Sequence, residues 1–175
     1  MERLATKVDW RTVLRSFVKA SQKASQKSTV KRINRRFPYI HAGKRSQRVA
    51  RVAISIDQSG SVSDSLLASF FSELEKLAQL AEFTVVPFDT RVDESKVFTW
   101  KKGERRPWER VLHGGTCFNA PTRFVNEGSF DGHIVLTDME APKPIPSKSQ
   151  RMWMTNKFGA RRAFDTHERI LEVTE

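Results

Sequence analysis

One stretch decides the fold of this chain: residues 51–63 read Arg-Val-Ala-Ile-Ser-Ile-Asp-Gln-Ser-Gly-Ser-Val-Ser. Its apolar and small residues, 52–56, form a short run bounded by a turn, which is typical of a β-strand buried on both faces. The run ends on Asp57, and a helix is predicted to begin near Ser63. The stretch therefore predicts an open α/β sheet, in which ligands bind at the loops that leave the carboxyl ends of the strands.

The loop after this strand carries oxygen-bearing side chains at alternate positions, Asp57, Ser59 and Ser61. One carboxylate and two hydroxyls directed toward one spot are ligands that suit a hard cation such as Mg²⁺. The alternative is an ordinary Ser/Gly turn that caps the following helix. That alternative leaves unexplained why Asp138 follows a second apolar run, Ile-Val-Leu-Thr at 134–137.

The Asp-x-Ser-x-Ser pattern of residues 57–61 resembles the metal-ion-dependent adhesion site of the von Willebrand factor A (vWA) family. In that family a Thr from a second loop and an Asp from a third loop complete the site. The matching residues here are Thr116, in His-Gly-Gly-Thr at 113–116, and Asp138. The resemblance thus implies a site for Mg²⁺ or Mn²⁺ built from five residues: Asp57, Ser59, Ser61, Thr116 and Asp138.

Two positions depart from the family pattern. Many vWA domains have Gly after the third-loop Asp, where this chain has Met139, and the nearest group tends to have Asp after the second-loop Thr, where this chain has Cys117. Such neighbours orient the ligands of a metal ion, so these departures bear on how the site is held rather than on its five primary residues.

Residue patterns along the chain predict a doubly wound, mostly parallel sheet flanked by helices in residues 51–175, preceded by a basic helical arm in residues 1–50. We predict helices at about 9–22, 64–81 and 119–126. The predicted strands are 52–57, 83–88, 92–100, 132–137, 151–155 and 168–173. We predict an extended connector at 21–51, held by Phe37, Tyr39 and Ile40, and loops at 141–149 and 156–167.

The resemblance implies a binding module that captures a Glu or Asp side chain of a protein partner through the metal ion. Within the family, the chain resembles most an intracellular bacterial vWA-like group found beside metallopeptidase-like regions. Proteins of this sort often act as adaptors for AAA+ ATPases of the MoxR type, so such an ATPase is the implied partner. No metallopeptidase motif is present, and we expect no peptidase activity here.

Charge is distributed unevenly, and it points to a second function. The net charge of the chain is +11; residues 1–51 hold 15 Lys/Arg and 2 Asp/Glu, whereas residues 52–175 hold 16 and 18. A basic arm interleaved with aromatic residues is suited to phosphate contacts and base stacking. The alternative to metal-dependent capture is therefore an accessory protein that binds nucleic acid through residues 1–51. A solvated basic strap is the simpler interpretation of the same residues.

The sequence gives weaker support to an enzymatic function than to a binding function. Ser59, His113 and Asp138 could be arranged as a hydrolase triad, and Cys117 could be a nucleophile, but the chain has no Gly-x-Ser-x-Gly elbow. His-Glu-x-x-His and P-loop motifs are also absent, so neither a zinc peptidase nor a nucleotide hydrolase is expected. The single cysteine rules out an internal disulfide framework. With no apolar run near the roughly 20 residues of a membrane span, we expect a cytoplasmic protein without membrane contact.

Overall fold

The structure, a computed structural model, describes residues 16–17, 26–33, 36–38, 41–46, 51–79, 82–105, 110, 112 and 114–173. Its residues separate into two compact units, Met1–Ala50 and Arg51–Glu175. None of the described helices has the length and apolar character that crossing a bilayer requires. The predicted helix at 9–22 lies outside the described residues, except that Ser16 and Phe17 are helical.

The first unit contains a two-stranded antiparallel ribbon made of β1 (Gln26–Ile33) and β2 (Ala42–Ser46). The predicted single extended connector is therefore corrected, because the chain turns back and pairs with itself, which satisfies its backbone hydrogen-bonding groups. Phe37 does not hold the segment in a core, since it is 49% exposed. Tyr39 and Ile40, also predicted to hold the connector, lie outside the described residues.

The second unit is built on a six-stranded sheet. Its strands are β3 (Val52–Asp57), β4 (Phe83–Phe88), β5 (Phe98–Trp100), β6 (Gly132–Leu136), β7 (Gln150–Thr155) and β8 (Arg169–Glu172). They lie in the order β5-β4-β3-β6-β7-β8, and every neighbouring pair is parallel except β4 and β5. The predicted doubly wound, mostly parallel sheet is confirmed.

In the described part of this unit, three α-helices accompany the sheet, α1 (Asp64–Ala78), α2 (Asn119–Glu127) and α3 (Lys157–Arg162), together with a short 3-10 helix at Glu94–Lys96. Helix α1 begins where the sequence predicts, because the Ser63 hydroxyl accepts a hydrogen bond from the Leu66 N–H. Helix α3 corrects the predicted loop at 156–167. Asn156 caps this helix, because its side chain accepts a hydrogen bond from the Gly159 N–H at 2.8 Å. The helix was not predicted because the residues after this cap are basic and include a glycine.

Helices α1 and α2 cover opposite faces of the sheet. The ring of Phe71 in α1 contacts Trp100 of β5, which also contacts Phe83 of β4. Val125 of α2 packs against Ala53 of β3. Ala53 pairs with Thr84, the residue after Phe83, and paired residues of neighbouring strands point to the same side of a sheet. Because successive side chains of a strand alternate in direction, Ala53 and Phe83 point to opposite sides. Both faces are thus covered, which explains why all six residues of β3 are buried.

The strand order reverses between β3 and β6. Strand β3 leads through α1 to β4 on one side, whereas β6 lies on its other side and continues to β7. Ligands of doubly wound sheets bind in the crevice outside the carboxyl ends of the strands at such a reversal. Asp57 is the last residue of β3, and Thr137 and Asp138 follow β6 directly. The fold therefore brings the ends of the first and third candidate loops to the ligand-binding position.

Candidate metal site

Asp57 lies at the centre of the candidate site and is fully buried. One carboxylate oxygen, Oδ1, accepts a hydrogen bond from the Ser59 N–H at 3.0 Å. The other, Oδ2, accepts from the Thr137 hydroxyl at 2.6 Å. Both oxygens are therefore held by neutral donors on two different loops, which fixes the orientation of the carboxylate toward the space between the ends of β3 and β6.

Burial raises the pKa of Asp57 above its ordinary value, and the hydrogen bonds from Thr137 and Ser59 oppose that shift only in part. The negative charge of Asp138 raises the pKa of Asp57 further. Among the described residues, neither Asp57 nor Asp138 has a Lys or Arg partner. Two neighbouring acids without a countercharge favour a cation, because buried charges in proteins are normally paired or bound to a metal.

The hydroxyls of Ser59 and Ser61 come together, with their Oγ atoms 3.1 Å apart. Ser59 is buried and Ser61 is exposed, so this pair lies where the loop reaches solvent. Two hydroxyl oxygens at this spacing beside a carboxylate are compatible with ligation of one Mg²⁺ or Mn²⁺. The structure thus places the Ser59 and Ser61 hydroxyls together in the loop whose Ser59 N–H binds the Asp57 carboxylate, and ligation of a metal by these residues stays a prediction.

Thr116, the predicted second-loop residue, is half-buried on a loop that is bonded to the first. The Gly60 N–H donates to the Gly114 carbonyl at 3.1 Å. On its other side this loop is held by Asp89, whose Oδ2 accepts from the Gly114 N–H at 3.2 Å. A Cβ on Gly114 would lie 2.6 Å from that oxygen, so only glycine permits this approach.

Asp138, the third-loop residue, is buried at 7% exposure and accepts a hydrogen bond from the Glu140 N–H at 3.2 Å. Its neighbour Met139 has φ 64°, the left-handed region that glycine enters freely and other residues enter at roughly 1–2 kcal/mol. Met139 therefore adopts the left-handed backbone conformation that is typical of glycine. Burial of the Met139 side chain against Phe118 and Trp153 and the bond from its N–H to Thr137 Oγ1 offset that strain.

Four residues of this region were not singled out for such roles from the sequence. Thr137 binds the Asp57 carboxylate and Asp89 holds the second loop. Gln58 and Arg110 join the first loop to the segment that leads into the second. Asp89 also stabilises the turn after β4, since its Oδ1 accepts from the Arg91 N–H at 3.0 Å. A signal existed for Thr137, which stands between a buried strand and Asp138. None existed for Arg110, whose partners are 46–52 residues away.

No group of three or more His, Cys, Asp or Glu side chains that could hold a metal ion occurs among the described residues. The candidate site is different in kind, because two carboxylates are supplemented by serine and threonine hydroxyls. His113, the base of the alternative hydrolase triad, lies outside the described residues. Cys117 is half-buried as a free thiol, and its N–H donates to the Asp89 carbonyl at 2.9 Å.

A doubly wound sheet with an Asp-x-Ser-x-Ser loop at its strand-order reversal defines a domain of the vWA type. The chain belongs to the VWA-like domain family (DUF2201), whose family model matches residues 52–171. Membership of this family indicates a protein-interaction module.

A curated relative extends the comparison. An uncharacterized protein of Thermotoga maritima is 32% identical over an alignment of 143 positions, which covers 79% of this chain and 35% of the relative. The chain therefore spans about a third of the length of that relative. No solved structure matches the chain.

Proposed function

We propose that this VWA-like domain binds a protein partner in a divalent-metal-dependent manner, by capturing an acidic side chain. The observation that carries the proposal is the pair Asp57 and Asp138, two buried acids without a countercharge among the described residues, beside the paired hydroxyls of Ser59 and Ser61. A divalent ion held by these residues would supply the missing positive charge and would attract a carboxylate from outside.

Each residue has a distinct role in this proposal. Ser59 and Ser61 hold the ion directly through their hydroxyls, and Thr116 contributes a third hydroxyl from the adjoining loop. Asp57 and Asp138 supply negative charge, with both oxygens of Asp57 already bonded to donors of the protein. Because few anionic groups ligate the ion directly, a carboxylate from the partner remains strongly attracted to it.

The surface beside the site suits a protein partner. Helix α3 leaves β7 at the same edge of the sheet, and a Cβ on Gly159 would lie 2.7 Å from the Asp138 carbonyl oxygen, so the helix packs directly on the third loop. Next to this glycine, Phe158 is 69% exposed, the one large apolar side chain exposed to this degree in the described part of the second unit. Lys157 and Arg161 are exposed beside it. This surface favours an acidic segment that also carries an apolar residue.

Isothermal titration with Mg²⁺ and Mn²⁺ tests the metal site. We expect the parent to bind one ion and Asp57→Ala to lose binding while keeping the circular dichroism spectrum of the parent. Asp165→Asn, which changes an exposed carboxyl group, is the matched control and should bind as the parent does. Equal binding by parent and Asp57→Ala would refute the assignment of the site.

Partner capture needs a separate test. We propose a MoxR-type AAA+ ATPase of the same organism as the partner, on the strength of the family resemblance alone. Surface plasmon resonance with the ATPase immobilised should show binding in Mg²⁺ that EDTA abolishes and that Asp57→Ala lacks. Binding of equal strength with and without EDTA would remove metal-dependent capture from the proposal.

The N-terminal ribbon supports a second candidate function, nucleic-acid binding. Its register places Lys27 opposite Arg45 and Lys44 opposite Ser28, so two basic residues occupy directly opposed positions. Like charges at opposed positions destabilise an antiparallel pair unless an anion lies near them. Phosphate groups of nucleic acid are such anions.

Fluorescence anisotropy with labelled duplex DNA and single-stranded RNA separates this candidate from the first. Phosphate binding should weaken steeply as salt rises, persist in EDTA, and decrease in the Lys27→Ser/Arg45→Ser double variant. Asp57→Ala should bind nucleic acid as the parent does. Absence of binding at low salt would exclude the candidate.

A further inference from the structure

Arg110 makes an unusual set of contacts with the loop that carries Ser59 and Ser61. Its guanidinium donates to three backbone carbonyl oxygens of this loop, those of Gln58 at 3.1 Å, Ser59 at 2.8 Å and Val62 at 2.6 Å. It also donates twice to Asp64 Oδ1, from Nε at 3.1 Å and from Nη2 at 2.9 Å. The side chain is only 13% exposed. One planar fork therefore engages the loop from Gln58 to the first turn of α1.

Two further hydrogen bonds join the same two segments of the chain. The Leu112 N–H donates to Gln58 Oε1 at 3.1 Å, and the Gly60 N–H donates to the Gly114 carbonyl at 3.1 Å. The segment that contains Arg110, Leu112 and Gly114 continues to Thr116. The first and second candidate loops are thus bonded to each other at several points by groups that are not metal ligands.

These contacts hold the loop in the conformation that sets the positions of the Ser59 and Ser61 hydroxyls. With its carbonyl oxygens held by Arg110, the loop keeps the conformation in which the Ser59 N–H reaches Asp57 and the Ser59 and Ser61 hydroxyls lie 3.1 Å apart. Lys has one ammonium group and cannot reproduce a planar fork that contacts several acceptors in fixed directions. The geometry therefore requires arginine, not merely a positive charge.

We propose that Arg110 is a positioning residue of the metal site, which preassembles the Ser59 and Ser61 hydroxyls and joins them to the loop of Thr116. The inference rests on the proposed metal-dependent function and extends it to a residue outside the five predicted ligands. Outer-shell groups that orient metal ligands typically change metal affinity by about 10–100-fold when they are removed. Removal of Arg110 should weaken metal binding within that range.

A purely structural role for Arg110 would give a different result. If it only capped the start of α1, its loss would lower the melting temperature in EDTA and leave the affinity of the folded protein for the ion unchanged. If it positions the hydroxyls, the affinity falls even where the protein remains folded. Metal affinity and metal-free stability, measured on the same variants, therefore separate the two roles.

The experiment is a Mn²⁺ titration by calorimetry on the full chain, with thermal unfolding in EDTA as the companion measurement. We expect Arg110→Gln to bind Mn²⁺ about 10–100-fold more weakly than the parent, and Arg110→Lys to recover only part of the loss. Arg105→Gln is the matched control, because Arg105 is 85% exposed and its ion-pair partner is Glu75 at 3.5 Å. It should bind as the parent does.

Affinity within twofold of the parent in folded Arg110→Gln would overturn the inference, as would a lower melting temperature without a change in affinity. Should Arg110→Gln not fold, the folded Arg110→Lys variant decides, since it keeps the positive charge and removes the planar fork; an affinity within twofold of the parent in that variant would also overturn the inference. If the parent binds Mn²⁺ and only Asp57→Ala loses it, the proposed function stands and this inference alone fails. If the parent binds no ion, both fail.

Discussion

The Thr137 hydroxyl donates to Asp57 Oδ2 at 2.6 Å, across the junction between two neighbouring parallel strands. The two residues are 80 positions apart in the chain. The same hydroxyl oxygen accepts the Met139 N–H at 3.1 Å, so one side chain supports both the first-loop carboxylate and the strained backbone beside Asp138. Thr137 thus links the two acids of the candidate site without being one of its predicted ligands.

Thr137→Val should destabilise the fold and Thr137→Ser should not do so to the same extent. Valine keeps the shape but leaves Asp57 Oδ2 without its donor and the Met139 N–H without its acceptor, and unsatisfied buried groups of this kind cost about 1–3 kcal/mol. Urea denaturation in EDTA measures the free energy of unfolding. Equal stability of Thr137→Val and the parent would show that the hydroxyl is dispensable.

Asp57→Asn should stabilise the metal-free protein at neutral pH while abolishing its response to metal. Because burial raises the pKa of Asp57 in the fold, its ionised form is less favourable there than in the unfolded chain. The destabilising contribution of this group is therefore absent at low pH and fully present once the pH exceeds the raised pKa. Asparagine removes the charge and retains an acceptor for the Ser59 N–H.

Thermal unfolding at pH 7 checks this prediction in EDTA and in Mg²⁺. We expect Asp57→Asn to melt at a higher temperature than the parent in EDTA, and only the parent to gain stability from Mg²⁺. The exposed Asp165→Asn variant should follow the parent in both conditions. A lower melting temperature of Asp57→Asn in EDTA would contradict the expected cost of the buried charge.

The protein should lose stability in mild acid through His133, which is fully buried in β6. Burial, with a smaller effect of the Arg151 charge, lowers its pKa to about 3 from 6.5. The unfolded chain therefore takes up a proton as the pH falls below about 6.5, whereas the folded chain does not until about pH 3. The resulting loss between pH 7 and pH 5 is about 2 kcal/mol.

Urea denaturation at both pH values measures this loss, and a His133→Gln variant isolates it. The raised pKa of Asp57 acts in the opposite direction, so the difference between parent and variant is the informative quantity. We expect the pH-dependent loss to be smaller in His133→Gln by about 2 kcal/mol and unchanged in His167→Gln, which alters an exposed histidine. Parallel pH profiles of the parent and His133→Gln would rule out this histidine as the cause.

Gly159→Ala should disturb the third loop, because a Cβ there would lie 2.7 Å from the Asp138 carbonyl oxygen and closer still to Thr155 Oγ1. Helix α3 would have to move away from Asp138, so both stability and Mn²⁺ affinity should fall. Arg161→Ala is the matched control, since it changes an exposed side chain of the same helix and should keep both values of the parent. Thermal unfolding and Mn²⁺ titration report both effects, and unchanged values for Gly159→Ala would show that α3 can shift without moving Asp138.

Much of the fold follows from local patterns in the sequence. The apolar runs before Asp57 and Asp138 predicted two buried strands, and the Ser63 cap predicted the start of α1, because each signal lies within a few residues of the element it specifies. The predicted loop at 156–167 was wrong only over Lys157–Arg162, since the short helix α3 depends on its packing against Asp138 as well as on its Asn156 cap.

The support of the candidate site could not be predicted in the same way. Thr137 and Arg110 act on residues that are 80 and about 50 positions away, so their roles depend on the strand order and on the path of the second loop. The sequence showed that Met139 stands where many vWA domains have glycine, but it did not show which backbone conformation this residue adopts. The structure keeps the left-handed backbone there and compensates for it by side-chain burial.

The hydrogen bonds that join the segment of Arg110 to the loop of Ser59 also concern the timing of recognition. A surface whose loops are already bonded together has little rearrangement to complete at each encounter, so association is limited mainly by diffusion and orientation. Differences in residence time among partners then arise from dissociation. If the proposed function holds, we expect this domain to discriminate between acidic segments by how long it retains each of them.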